Sequence, residues 1–240
     1  MSKSKQYLKG ISNGLPIGIG YLSVSFAFGI FAIANGLTGA EAVLISMTNL
    51  TSAGQLAAVP IIAGGGAFVE IIVSQLIINL RYALMSISLS QKLDKKVTLF
   101  ERLIIAFGNT DEIFAVAISN PKDVTAPYMY GLITTPFLGW NLGTLLGAVA
   151  GNILPAIITS ALGVAIYGMF VAIVVPVIKK EKNTALCVAF AILLSCAFKY
   201  ISPLSSVPSG FVIIICAILA SVVFALVAPI KTDKEADNNA

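Results

Sequence analysis

Long apolar stretches recur along almost the whole chain and are separated by short polar interruptions. Each stretch is about as long as the roughly 20 residues that an α-helix needs to cross a bilayer. The pattern predicts an all-α, polytopic helical membrane protein with six to eight spans, some of them broken or re-entrant. The stretches cover residues 15–34, 40–62, 66–90, 101–119, 128–150, 153–178, 184–202 and 210–230.

Polar residues divide the chain into a tail at each end and one transmembrane domain. Residues 1–14 form a polar N-terminal segment, residues 15–230 the membrane domain and residues 231–240 a polar tail. The lysine-rich start followed by an apolar run resembles a signal peptide, but the length of the run favours an uncleaved first span. No convincing internal repeat is apparent, although the pairs Asn49-Leu50 and Asn141-Leu142 hint at one.

Two sets of residues have the spacing of a helix-starting capping box, in which Thr is followed three residues later by Glu. They are Thr38 with Glu41 and Thr98 with Glu101. The sequence therefore predicts that helices begin at these two places.

The basic residues favour cytoplasmic termini, because cytoplasmic loops are enriched in Lys and Arg. If all eight segments cross, Lys92, Lys95, Lys96 and Arg102 fall outside the cell. If 40–90 and 128–178 each make one net crossing, these four residues fall inside and only Lys122 falls outside. Both schemes place the two termini in the cytoplasm, and they leave the span count and the side of the 91–102 loop open.

Composition excludes several classes of protein. Hydrophobic residues make up 58% of the chain and charged residues 11%, whereas soluble domains have about 25% charged residues. The net charge of +4 is too small and scattered for nucleic-acid binding. The chain has no histidine, and its three cysteines lie singly in apolar runs, so we expect no metal, no cofactor and no enzymatic activity.

Ionisable residues inside apolar segments are costly, at about 2.5–3.5 kcal/mol each, and often mark a functional site. Glu70 and Arg81 share one segment at a separation close to three helical turns, which predicts a polar helix face. Arg81 can clamp a carboxylate, and Glu70 is a candidate for proton coupling. Alternatively, both side chains reach the membrane interface from opposite ends of the helix.

The run from Gly108 to Glu112 interrupts the 101–119 segment with consecutive polar residues. Asn109 and Glu112 have the spacing of a capping box, which predicts a helix that restarts inside the bilayer. Transporters use such half-helix ends to bind ions and substrates. Asp111 or Glu112 can then bind a substrate ammonium group or carry a proton, unless the run is a solvated loop.

Two further groups have weaker signals. Asn49, Thr51 and Gln55 form a polar patch whose amides and hydroxyls could bind a ligand or link helices. Gly143, Gly147 and Gly151 form a repeated small-residue stripe, which is typical of close helix packing.

Three local strings resemble the AzlC-type family, the large subunit of branched-chain amino acid exporters: Ser52–Ala58, Asn79–Ser86 and Thr110–Glu112. The resemblance extends to 14–16 and 140–144 and covers roughly residues 12–230. It implies export of leucine, isoleucine and valine, coupled to the proton gradient, from a multi-pass position in the bacterial cytoplasmic membrane. It also implies a small second membrane subunit of the AzlD type.

Residues and resemblance together predict a transporter subunit for small hydrophobic amino acids. Arg81 would meet the substrate carboxylate, Asn79 would also bind the substrate, and Asp111 and Glu112 would meet the ammonium group or a proton. The residues alone leave two alternatives open. One is a transporter or channel for another small solute, and the other is a non-transporting membrane assembly subunit.

Overall fold

The computed structural model describes residues 2–155 and 181–228, with a few isolated positions between these ranges. Most of the apolar segment 153–178 and the polar tail 231–240 lie outside the described residues. The described ranges are all-α, as predicted, and their only strand-type pairing is one isolated backbone bridge between Leu93 and Val124. The helices are α1 Lys3–Ala34, α2 Gly39–Thr48, α3 Ala53–Ala63, α4 Phe68–Ile78, α5 Leu80–Lys92, α6 Leu99–Phe107, α7 Asp111–Ile118, α8 Ala126–Ile153, α9 Lys182–Tyr200 and α10 Ser209–Val227.

Among the described residues, three helices are long and apolar enough to cross a membrane: α1, α8 and α9. The pair α4–α5, bent by 46°, can form a fourth span. α1 has 32 residues and α8 has 28, which correspond to about 48 and 42 Å at a rise of about 1.5 Å per residue. Both lengths exceed the hydrocarbon core of about 30 Å. α1 starts at Lys3 and therefore includes most of the polar N-terminal segment.

α1 and α8 pack against each other in parallel along a stripe of small residues. Gly10 faces the backbone around Leu132, Gly18 faces Thr135, and Gly29 faces Thr144. Residue numbers thus rise together on the two helices, and small residues let their backbones approach closely. Both helices begin at the same end of the bundle, which we call the proximal face; the opposite end is the distal face.

The predicted packing glycines lie on this stripe. Gly143 faces the backbone of Leu22, and Gly147 faces that of Phe26. Gly151 lies at the distal end, where an added Cβ would be 3.1 Å from the side chain of Ile33.

α2 and α3 form a re-entrant pair that enters from the distal face and returns to it. Leu37, just before α2, packs with Phe28 in the distal half of the bundle. Leu50, in the turn between the helices, packs with Tyr21 in the middle of α1. Val59 of α3 then packs in the same distal cluster as Phe28. The chain has therefore turned back at 49–52 instead of crossing.

α4 and α5 run as one bent pair from the distal to the proximal face. The break lies at Asn79, and α5 ends close to the start of α8, where the Asp94 backbone N–H donates to the Val124 carbonyl at 2.9 Å. Glu70 and Arg81 therefore do not share one helix face, contrary to the prediction, because the helix bends between them.

α6 and α7 form a second re-entrant pair, which enters from the proximal face. α6 begins next to Val97, in the proximal hydrophobic core, and the turn at 108–110 reaches the level of Tyr21. α7 then returns to the proximal face. This pair mirrors α2–α3, and both pairs start with the predicted capping boxes, in which the Thr38 and Thr98 backbone N–H groups donate to Glu41 and Glu101 at 2.7 and 2.8 Å.

The structure refines several local predictions. The segments 40–62 and 66–90 are both broken, in line with the prediction that some segments are broken or re-entrant. The Asn49-Leu50 and Asn141-Leu142 strings do not occupy corresponding places, because Asn49 ends α2 and Asn141 lies inside α8. The break after Gly108 is confirmed, but Thr110 rather than Asn109 caps the restarted helix. The Thr110 hydroxyl accepts from the Ile113 backbone N–H, and Asn109, one residue earlier, donates through its amide to Ser86 at 3.3 Å. The number of full spans and the cytoplasmic termini stay predictions.

Candidate functional site

A central cavity of about 880 Å³ lies where the three helix breaks meet. Its lining includes Leu50–Ala53 from the α2–α3 turn, Arg81 and Tyr82 from the start of α5, and Thr110–Glu112 from the α6–α7 turn. Tyr21 of α1 and Trp140 of α8 complete the wall. Non-helical backbone at membrane depth is tolerated where it is buried in protein or lines a cavity, and these turns fit that rule.

The cavity lies at the middle of the two long helices. Tyr21 is close to the midpoint of α1, and Trp140 is at the midpoint of α8. Both helices are long enough to span the hydrocarbon core, and in that arrangement their midpoints would fall near the bilayer centre. Secondary transporters place their substrate sites at this depth, between broken helices.

One ion pair joins two of the breaks across the cavity. Arg81 Nη2 of α5 lies 3.0 Å from Asp111 Oδ2 of α7, and the side chains are 51% and 44% exposed. The guanidinium group also lies 5.0 Å from the centre of the Tyr82 ring and donates to the Tyr82 hydroxyl at 3.2 Å. The aromatic ring and the carboxylate thus hold the guanidinium group in the cavity, while some of its N–H donors stay accessible.

The second carboxylate in the cavity has a different partner. The Tyr21 hydroxyl hydrogen-bonds the Glu112 carboxylate and the Thr110 hydroxyl, the latter at 2.7 Å. Tyr21 also packs edge-to-face on Trp140 with ring centres 5.2 Å apart. These contacts tie the α6–α7 turn to both long helices and leave Asp111 and Glu112 with separate partners.

A cluster of amide side chains ties the α2–α3 turn to the α4–α5 break. Gln75 Oε1 accepts from Asn49 Nδ2 and from Asn79 Nδ2, each at 3.1 Å. Gln75 Nε2 donates to the Gly54 carbonyl at 2.8 Å, and Thr51 donates to Asn49 Oδ1 at 2.7 Å. One glutamine therefore contacts both broken elements, and Gly54 has no room for a side chain beside it.

Three half-helix N-termini converge near the cavity: those of α3, α5 and α7. Such ends carry partial positive charge and attract anions. Asp111 and Glu112 occupy the first turn of α7, where acidic residues are stabilised. At the α2–α3 turn, Ser52 has φ 50°, a left-handed conformation that is strained for a serine and often occurs at functional sites.

The predicted site residues do not all meet at the cavity. Arg81, Thr51, Asp111 and Glu112 line it, whereas Asn49 and Asn79 lie behind its wall in the amide cluster.

Two predicted residues lie elsewhere. Gln55 is fully buried and donates to Ser46 at 2.9 Å, and Ser46 in turn hydrogen-bonds Thr144 of α8 at 2.7 Å. This contact links helices and does not face the cavity. Glu70 is buried in the first turn of α4, towards the distal face.

Sequence reasoning missed four residues at or beside the site: Tyr21, Gln75, Tyr82 and Trp140. Tyr82 had an available signal, since an aromatic residue next to a membrane-embedded arginine can hold its head group. The other three become visible only when the helices are packed together.

Comparison with known proteins identifies relatives of the chain. A family model described as AzlC protein matches residues 16–154, a range that contains every residue lining the central cavity. An uncharacterized membrane protein of Archaeoglobus fulgidus is 32% identical over 181 residues, which cover 75% of this chain and 79% of the relative. The inner membrane protein YgaZ of Escherichia coli strain K12 is 27% identical over 197 residues, 79% of each chain. No solved structure matches the chain.

Proposed function

Because the chain belongs to the AzlC family, we propose that it is the transporting subunit of an exporter for branched-chain amino acids in the bacterial cytoplasmic membrane. The observation that carries the proposal is the Arg81–Asp111 ion pair in a cavity at the middle of the bundle. The volume of about 880 Å³ lies in the usual range for small-molecule sites, about 300–1,000 Å³.

A zwitterion can insert between the paired charges without leaving either of them alone. The substrate carboxylate would bind the Arg81 guanidinium, and the substrate ammonium would bind Asp111. Each contact that is lost when the pair opens is replaced by one of the same charge type, so no unpaired charge remains in the cavity. A solute with only one of the two groups would leave Arg81 or Asp111 unpaired.

The apolar part of the cavity wall suits a branched aliphatic side chain. Ile17 and Val24 of α1, Leu50 of the α2–α3 turn and Ile78 of α4 all line the cavity. Burial of such a side chain is worth about 1.5–3 kcal/mol, which favours leucine, isoleucine and valine over glycine or serine.

Proton coupling would use the two cavity carboxylates. Asp111 and Glu112 are the acidic residues that line the cavity within the described ranges, and the chain has no histidine. Release of a proton from one carboxylate on one side of the membrane and its uptake on the other would drive amino acid in the opposite direction. A coupling residue is recognised when its amide variant still exchanges leucine across the membrane but no longer accumulates it along a pH gradient.

A small second membrane subunit forms part of the proposal, and the family resemblance is its support. Leucine transport should then require co-reconstitution of both chains, or rise when the second chain is added.

Substrate competition in proteoliposomes tests the proposal. Labelled leucine uptake should be blocked by isoleucine and valine but not by 4-methylpentanoate, which lacks the ammonium group, or by 3-methylbutylamine, which lacks the carboxylate. Arg81→Gln should reduce uptake more than tenfold. Arg102→Gln is the matched control, because Arg102 binds Ser90 at the proximal face, away from the cavity. Equal inhibition by the singly charged compounds would refute zwitterion recognition.

A further inference from the structure

A second cavity of about 420 Å³ lies at the proximal end of α1, α7 and α8. Its polar lining comes from Lys9 and Asn13 of α1, Ser119 and Asn120 at the end of α7, and Tyr128 of α8. The Asn13 amide donates to the Tyr128 hydroxyl at 2.9 Å, which fixes both side chains in the wall.

The same three helices line both cavities at different levels. On α1, Asn13 lines the proximal cavity and Tyr21 the central one, eight residues further along. At about 1.5 Å per residue this separation is about 12 Å along the membrane normal. On α7, Asp111 lines the central cavity and Ser119 the proximal one. The two cavities therefore lie one below the other along α7.

Apolar side chains border the two cavities where they approach each other. Ile17 of α1 lines the central cavity, Val116 of α7 lines the proximal one, and both pack against the same hydrophobic core. A solute in the proximal cavity would have to pass these side chains to reach Arg81.

The chemistry of the proximal cavity suits an amino acid before it is desolvated. Lys9 supplies a cation for the carboxylate, and the Asn13 and Asn120 amides supply both donors and acceptors. A flexible lysine head holds a hydrated carboxylate as a point charge, whereas the arginine of the central cavity can hold it in a fixed geometry.

We propose that the proximal cavity is a second binding station on the transport route, in which Lys9 holds the carboxylate of the amino acid before it passes Ile17 and Val116. This inference rests on the proposed function. It assigns the substrate a path along α7 and a site that is distinct from the Arg81–Asp111 pair.

Site-directed labelling tests the path. Cys187, Cys196 and Cys216 are first replaced by alanine, and Ser119→Cys is then exposed to a membrane-impermeant, negatively charged methanethiosulfonate. The thiol should react from one side of the membrane only, more slowly in the presence of leucine, and the adduct should reduce leucine transport more than fivefold. Ser4→Cys is the matched control: it is exposed on the first turn of α1, at the same face but outside the cavity. It should react without leucine protection and without loss of transport.

Transport kinetics test the role of Lys9. Lys9→Gln should raise the KM for leucine presented at the proximal face at least threefold and leave Vmax and binding to the central cavity unchanged. Lys9→Arg should restore the KM, and Lys5→Gln, one turn away and outside the cavity lining, should have no effect. A structural role of Lys9 would lower Vmax or the amount of folded protein instead.

The outcomes separate the two proposals. If the parent protein transports leucine but the Ser119 adduct and Lys9→Gln leave transport unchanged, the second station is refuted and the proposed function stands. If the parent protein moves no amino acid, with or without a second subunit, both proposals are refuted.

Discussion

At the scale of single residues, the Arg81–Asp111 pair matters for recognition more than for stability. Both side chains are about half exposed to the cavity, and ion pairs with such access to solvent contribute about 0–1 kcal/mol. A contact of this size has little effect on the stability of the fold. Binding of a substrate that must neutralise both charges, in contrast, depends on it. Loss of one partner should therefore affect transport far more than folding.

Asp111→Asn tests this distinction. The variant leaves the guanidinium without its carboxylate, so leucine transport should fall more than tenfold while the unfolding free energy changes by about 1 kcal/mol or less. Thermal unfolding in detergent and leucine uptake in proteoliposomes measure the two effects on the same preparation. Asp123→Asn, in the exposed loop before α8, is the matched control and should change neither. Wild-type transport by Asp111→Asn would remove this carboxylate from the mechanism.

Gln75, unlike the Arg81–Asp111 pair, should matter for stability more than for recognition, because its contacts join parts of the fold. Gln75→Leu would leave the amides of Asn49 and Asn79 and the carbonyl of Gly54 without their partner. Buried polar groups without a partner cost about 1–3 kcal/mol each, so the variant should unfold at clearly lower temperature. Gln75→Glu keeps the acceptor for both asparagines and should be intermediate, and Gln91→Leu, exposed at the end of α5, should be neutral. If Gln75→Leu unfolds like the parent protein, the amide cluster does not hold the breaks together.

The site residues that the sequence revealed are those whose energetic cost can be recognised from their own segment. Arg81 and Asp111 stand out because charge is expensive in an apolar segment. Tyr21 and Trp140 are separated from them by many residues and are ordinary in their own segments, so only the packing of α1 and α8 brings them to the cavity. Gln55 was misplaced because a polar residue on α3 can face either a ligand or a neighbouring helix, and sequence does not show which.

At the scale of helices, the parallel contact of α1 and α8 forms the rigid frame around which the broken pairs are arranged. Its small residues were visible on α8 as a repeated glycine stripe, but the partner helix was not. The breaks were predictable where several polar residues follow one another, as after Gly108. The break at Asn79 was missed, since a single asparagine in an apolar run gives little signal.

Gly147→Ala tests the frame. An alanine Cβ would overlap the backbone of Phe26, and overpacking of this kind costs about 1–3 kcal/mol. Gly20→Ala is the matched control on α1: nothing lies within 4 Å of its added Cβ, so alanine should be neutral or stabilise the helix by up to about 1 kcal/mol. Thermal unfolding in detergent should separate the two variants. Equal stability would show that the helices do not pack as closely as described.

The capping box at the start of α6 should make stability depend on pH. Hydrogen bonds from the Thr98 backbone N–H and hydroxyl, at 2.8 and 2.9 Å, lower the pKa of Glu101 below its usual value of 4.5. A carboxyl whose pKa is lower in the folded state stabilises the fold above pH 4.5, and this contribution disappears as the pH falls through the folded-state pKa. Glu101→Gln should therefore unfold at lower temperature than the parent protein at pH 7 and match it near pH 3. A difference that does not change with pH would assign the effect to another cause.

At the scale of the whole molecule, two re-entrant pairs enter from opposite faces and meet at one cavity. α2–α3 comes from the distal face and α6–α7 from the proximal face, each with a capping box at its start and a polar turn at its tip. Many secondary transporters are built from opposed elements around a central site, and either face can open in them while the other stays packed. The sequence did not reveal this symmetry. The two pairs share a capping box and a polar turn, but their amino-acid sequences are not otherwise alike.

The same layout predicts the orientation of the protein. The Asp94 N–H donates to the Val124 carbonyl, and Thr125 donates to Gln6 of α1 at 2.9 Å. The loops 93–98 and 119–125 therefore share the proximal face with the N-terminus. Basic residues concentrate there, whereas the distal turns 35–38 and 64–67 contain none, so the positive-inside rule predicts that the proximal face is cytoplasmic. The proximal set is Lys3, Lys5, Lys9, Lys92, Lys95, Lys96, Arg102 and Lys122.

Side-specific labelling distinguishes this orientation from a chain in which every apolar segment crosses. In a cysteine-free background, Lys95→Cys and Lys122→Cys should both react with an impermeant thiol reagent only from the cytoplasmic side, and Asn35→Cys only from outside. Eight full crossings would instead place Lys95 outside and Lys122 inside, because the 101–119 segment would then separate them. Lys95 and Lys122 thus decide together: labelling of Lys95 from outside and of Lys122 from inside would show that α6–α7 crosses the membrane, and the central cavity would lose the turn that carries Asp111.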